Sequence, residues 1–178
     1  LTRSYKLARP FSFSTVHAPA VSLSQVSAMQ SMQASMQASS IMNGTSLIGH
    51  SILAPGTTAT LATGGAVGAA VNAPAGTSSL NVSIQDSTGA TVDTFTVKPA
   101  DSGMTSFIWK GNTSSGATAP AGTYKVSVTA TVDGKATPVD PMVVNKVDSV
   151  LVDPTTNAVD VETDTGNTVP LSQIISVM

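Results

Sequence analysis

The chain has 178 residues, no cysteine and a formal net charge of −2. Ser, Thr and Ala number 24, 24 and 22, while only 10% of residues are charged and 4% are aromatic. This excludes disulfides, thiolate metal sites and cysteine nucleophiles, and no apolar run approaches the roughly 20 residues that span a bilayer.

Charge is unevenly placed. Arg3, Lys6 and Arg9 are the only charges before Asp86, and from residue 21 onward five Lys face ten acids, a balance of −5. Nucleic-acid binding needs a basic stripe with stacking aromatics, and the main body has neither. Residues 1–20 are basic, hold two Pro and show no period, so they stay unassigned; no charged, apolar, then small-residue leader opens them, and a classical signal peptide is expected to be absent or already removed.

Residues 21–43 lack Pro, Gly and charge. Met29, Met32 and Met36 fall at spacings of three and four, with Leu23 and Val26 extending the stripe. This predicts an amphipathic helix, stopped by Asn43-Gly44 because Gly is favoured just past a helix end. Flexible thioethers on one stripe adapt to partner surfaces. The stripe is therefore a candidate for self-association, against the plainer alternative of packing on its own domain.

From Thr45 the texture is β. Candidate strands are Ser46–Leu53, Thr57–Thr63 and Gly68–Ala73, closed by Pro-Gly, Gly-Gly and Pro-Ala-Gly breaks. Leu80, Val82 and Ile84 then alternate with Asn81, Ser83 and Gln85, the period-two mark of a half-buried strand. Asp86–Gly89 is a turn and Thr91–Val97 the partner strand. Residues 105–110 hold Trp109, residues 111–122 are a polar loop, and Tyr124, Val126 and Val128 alternate again. Pro138–Val144, Asp148–Val152, Ala158–Glu162 and Thr168–Leu171 are further short strands, and Ser172–Met178 suits a short helix. Short strands at even spacing, with turns between them, predict a mainly β protein with a sandwich.

Several strings are familiar. SLIGHSILAPGTT (46–58) resembles the segment that opens the folded half of flagellar hook-capping proteins of the FlgD type. The DSTGATV hairpin (86–92) and FIWKGNTSSGATAPAGTY (107–124) are similar to that family's immunoglobulin-like module, with Trp109, Gly111, Pro120, Gly122 and Tyr124 as its landmarks. GNTVPLSQIISV (166–177) resembles the family's C-terminal end. The likeness covers about residues 45–178. The longer Gln- and Leu-rich region with which the family begins is not seen.

The resemblance implies a fibronectin-III/Ig-like sandwich at 73–144 inserted into a small Tudor-like β-barrel built from 44–72 plus 145–178. It implies a non-enzymatic scaffold at the tip of the growing hook, outside the cell and exported without a cleaved signal peptide. Its partners are hook subunits and further copies of itself, with no cofactor, nucleic acid or membrane. A secreted Ig-like adhesin or carbohydrate-binding module is the alternative.

Other candidates are weaker. His17 and His50 are the only histidines, and no GxSxG elbow accompanies them; His50 is expected inside an apolar strand. Asp160, Glu162 and Asp164 alternate and suit a hard cation, but Thr165 and Leu171 stand where an EF-hand needs Gly and Glu, so a solvated face is expected. Residues 64–68, GGAVG, lack the Lys-Ser/Thr of a phosphate loop. Trp109 and Tyr124 suit either a sugar platform or the core. With so few aromatics the core is preferred, together with Leu80, Val82 and Ile84.

Overall fold

The computed structural model describes residues 23–100 and 103–178. The unassigned segment 1–20, with His17, and the first two residues of the expected helix lie outside the described residues. The chain divides between Ser35 and Met36 into two units. Among the described residues it is mainly β, with one α-helix, α1 (Leu23–Thr45), before twelve strands in chain order. Among the described residues no helix is long and apolar enough to cross a membrane.

The helix continues through the expected stop at Asn43-Gly44 and ends at Thr45. Gly44 is buried, and a Cβ there would lie 3.0 Å from Val150 Cγ1 and 3.4 Å from Val159 Cγ1. Its missing side chain thus serves close packing rather than a left-handed cap. Residues 46–50, expected as strand, form turns instead. Leu47 N donates to Gly44 O and His50 N to Leu47 O, both at 2.9 Å.

The strands are β1 (Ser51–Pro55), β2 (Thr58–Leu61), β3 (Val67–Asn72), β4 (Thr77–Gln85), β5 (Thr91–Val97), β6 (Met104–Trp109), β7 (Gly122–Val132), β8 (Lys135–Val139), β9 (Pro141–Val152), β10 (Val159–Thr163), β11 (Thr168–Pro170) and β12 (Ser176–Val177). One sheet runs β2-β7-β4-β5, with β8 also on β7. The other runs β11-β10-β9-β1-β12, and β3 joins it between β9 and β6.

Two apolar cores follow from this pairing. The larger contains Leu80, Val82 and Ile84 of β4, Phe107 and Trp109 of β6, Tyr124, Val126 and Val128 of β7, and Val143 of β9. The smaller contains Ile52, Ala54, Val147, Val161 and Val169. β9 is one strand of 12 residues where the sequence suggests two. Its first half pairs with β3 (Ala69↔Val143) and its second half with β10 (Val161↔Val150), so a single strand belongs to both cores.

Two further expectations are set beside the strand pairing. Residues 57–72 are expected with the C-terminal flank; β2 pairs with β7, and β3 pairs with β6 on one side and β9 on the other. Ala59, Leu61, Val67, Ala69 and Val71 accordingly lie in the larger core. The reason is composition: these strands are small-residue and two-sided, so their alternation carries little information about which sheet they join. The expected helix at 172–178 is instead one 3-10 turn, Leu171–Gln173, followed by β12. The free edge of β1 captures it, with Ile175 N donating to Leu53 O and Met178 N to Ser51 O.

Candidate functional site

The methionine stripe is exposed. Met29, Met32 and Met36 are 72%, 62% and 59% accessible. Residues 24–35 are exposed on every side of the helix, so this stretch has no buried apolar face among the described residues. It has no acidic residue in its first turn and no basic residue in its last. Ser31 Oγ donates to Ser27 O at 3.0 Å, closing one polar group back onto the helix. An uncharged helix of this kind offers partners only thioethers, small residues and amides.

Within the second unit, the end of α1 is tied to the β9–β10 hairpin. Gln37 Nε2 donates to Asn157 Oδ1 at 3.3 Å, and Gly44 packs on Val150 and Val159. Asn157 holds a left-handed backbone at φ 56 in the hairpin turn. Asp153 orders that turn by accepting from Thr155 N at 2.7 Å and Thr156 N at 3.0 Å. These bonds, the one from Thr156 N first, hold its carboxyl below the usual aspartate value.

Trp109 and Tyr124 are 3% and 5% accessible, and Leu80, Val82 and Ile84 are no more than 1% accessible. Trp109 Nε1 donates to Asn112 O at 2.8 Å and Tyr124 OH to Pro120 O at 2.6 Å. The tyrosine bond to a carbonyl four residues upstream is the corner found in sandwich folds. Both polar handles are thus used inside the domain, and neither ring presents a face to solvent as a sugar platform would.

Gly111 explains its place in the motif. Its φ is +72°, and a Cβ there would meet Leu61 Cδ1 at 3.0 Å and Gly65 O at 3.3 Å. The loop beyond it is ordered by its own groups: Thr113 N donates to Ala117 O at 2.7 Å and Ala119 N to Gly111 O at 2.8 Å. In the β4–β5 turn, Asp86 accepts from Thr88 Oγ1 at 2.6 Å and Thr88 N at 2.9 Å. The Thr88 hydroxyl is the main cause holding this carboxyl below the usual value.

The weaker candidates are not brought together. His50 is not in a strand: its side chain is exposed at the bend before β1, and its carbonyl accepts from Val147 N at 2.9 Å. Asp160 and Glu162 are half-buried on β10 and Asp164 is exposed beyond it. Glu162 Oε2 accepts from Ser149 Oγ at 2.8 Å. No group of three or more potential metal ligands occurs among the described residues. Gly64 and Gly65 form a turn between β2 and β3. Sequence reasoning missed Asn145, a buried polar residue on β9 whose Nδ2 donates to Thr58 O at 2.9 Å. Its signal is a lone amide within the apolar run PMVVNKV.

Comparison with known proteins places these features. Residues 56–134 match the FlgD Ig-like domain, a span that begins where β2 enters the sandwich. The chain is 31% identical over 146 residues to the basal-body rod modification protein FlgD of Escherichia coli K12, covering 78% of this chain and 59% of that protein. The crystal structure of FlgD from P. aeruginosa superposes with a TM-score of 0.66 at 25% identity, over 74% of this chain and 98% of that one.

The chain is similar to FlgD in sequence and in fold.

A second FlgD structure, from Xanthomonas campestris, superposes with a TM-score of 0.65 at 26% identity, over 78% of this chain and 99% of that one. It bears on the hook capping essential for flagellar assembly. The chain spans about three fifths of the E. coli relative and 43% of the Salmonella typhimurium one. The Trp109–Tyr124 corner lies within the matched FlgD Ig-like span, and the methionine stripe lies before it.

Proposed function

We propose that this chain is a protein of the FlgD type and a non-enzymatic scaffold of the flagellar hook cap, acting outside the cell at the tip of the growing hook. There it holds hook subunits near the insertion point and promotes their addition. Its work is binding and release governed by shape and local concentration, with no bond made or broken. We also propose a division of labour within the chain. Residues 56–144 form the fibronectin-III/Ig-like module, 44–55 with 145–178 form the Tudor-like module, and the methionine stripe carries self-association.

One observation supports the scaffold most: a long uncharged helix with exposed Met29, Met32 and Met36 leads into a β body whose aromatic residues are spent on its own core. An exposed apolar stripe is a surface that association covers. The burial of Trp109 and Tyr124 disfavours the rival adhesin or carbohydrate module, which needs accessible rings.

Immunogold labelling of an epitope-tagged form in its source cells tests this. Gold is expected at the distal tip of short, growing hooks and absent from completed ones. Label spread over the cell surface without relation to hooks would favour the adhesin.

A further inference from the structure

Sheets discourage unwanted pairing at their edges with short strands, charge, proline or a covering loop. Most edges here use one of these. β11, β12 and β2 have three, two and four residues. β8 carries Lys135 and Pro138. β5 carries Asp93, and its Val92 carbonyl accepts from Ser114 N of the 111–122 loop at 3.0 Å.

Among the described residues, β6 uses none of them. It has six residues without charge or proline and pairs with β3 alone. Among the described residues, no backbone group of β6 bonds outside that pairing. Ile108 and Met104 point outward at 67% and 39% accessibility. On the inward side Phe107 meets Phe95 of β5 edge-on, with centroids 6.0 Å apart. Phe95 and Val97 are only partly buried against the core. The flank of the sandwich between β5 and β6 is therefore apolar and incompletely covered. Exposed Lys98, after β5, and Lys110, after β6, frame it.

We propose that β6 is a docking edge for an extended segment of a partner polypeptide, apolar at alternate positions and acidic at its ends, which adds as a further strand. A bare edge offers N–H and C=O groups that only an extended backbone pairs in register, and alternate side chains give such complexes their selectivity. The inward residues of the added strand would cover Phe95 and Val97, and its acidic ends would meet Lys98 and Lys110. A second copy fits less well, because antiparallel pairing of two β6 edges brings Lys110 of one copy to the Lys98 end of the other. The proposal stands on this edge alone and does not depend on the cap.

The test is fluorescence anisotropy on the whole chain with a labelled synthetic peptide of about ten residues, a strand's length, alternating Val and Thr between terminal Asp residues. The control peptide carries Pro at two central positions. Ile108→Lys and Ser106→Lys change exposed outward positions of β6, and Thr94→Lys does the same on β5; unfolding curves verify that all three remain folded. Saturable binding of the first peptide only is expected, weakened about tenfold or more by either β6 variant and unchanged by Thr94→Lys. Absence of saturable binding, or equal binding by both β6 variants, overturns the proposal. So does a native mass in sedimentation that falls with Ile108→Lys, which would assign the edge to a second copy.

Discussion

Trp109 and Tyr124 meet edge to face, with ring centroids 4.8 Å apart at 65°. Each ring donates a hydrogen bond into the loop that joins their strands, to Asn112 O and Pro120 O. The pair therefore fixes three things together: the contact of β6 with β7 across the sandwich, the path of residues 111–122, and the centre of the larger core. Trp109→Ala should cost about 3–5 kcal/mol through the cavity it leaves. Tyr124→Phe should cost about 1–3 kcal/mol, since Pro120 O loses its partner while the ring stays. Denaturant unfolding measures both. Native tryptophan fluorescence that is red-shifted and freely quenched would contradict the burial.

Gly111 is the second sensitive point. Its left-handed backbone and the 3.0 Å approach to Leu61 leave no room for a side chain. Gly111→Ala should destabilise by about 1–3 kcal/mol, more than Ala at Gly89, where φ is also positive but nothing lies within 4 Å. Comparing the two midpoints separates crowding from strain, and equal losses would remove the Leu61 contact from the account.

Strand membership sets where the sandwich can be cut. A fragment of residues 56–144 keeps β2 and β3, and it should fold alone. A fragment of 74–144 lacks Ala59, Leu61, Val67, Ala69 and Val71 of the larger core and should not. Amide dispersion in NMR spectra reads the outcome; a well-dispersed spectrum from 74–144 would show that β2 and β3 are dispensable.

These differences show where the sequence is legible. Leu80, Val82 and Ile84 alternate with polar residues, face one core, and read correctly as a strand. β2 (TATL) and β3 (VGAAVN) are short and rich in small residues, and nothing local says which sheet accepts them. β9 runs unbroken past Lys146 and Asp148 because its neighbours change along its length, from β3 to β10. Gly44 looks like a helix stop, yet its partners Val150 and Val159 are over one hundred positions away. The methionine stripe is visible at spacings of three and four, but the absence of a buried face beneath residues 24–35 is not a local property.

Asp86 and Asp153 contribute to the acid limb of stability. Both carboxyls are held below their ordinary value by hydrogen bonds in turns. A group whose folded pKa is depressed contributes stability above its unfolded pKa and loses it as pH falls through the folded one. The melting temperature should therefore be insensitive to these groups above about pH 5 and should fall below about pH 4. The double variant Asp86→Ala, Asp153→Ala should show a shallower fall over that range. An unchanged acid slope would mean that other carboxylates set it.

The central claim is that the stripe carries self-association and the β body does not. Sedimentation equilibrium on the whole chain, on a form beginning at Gly44, and on the triple variant Met29→Ser, Met32→Ser, Met36→Ser tests it most directly. The account predicts a concentration-dependent mass above the monomer for the whole chain and a monomer for the other two. One and the same monomeric mass for all three, or an assembly that survives both changes, would contradict it.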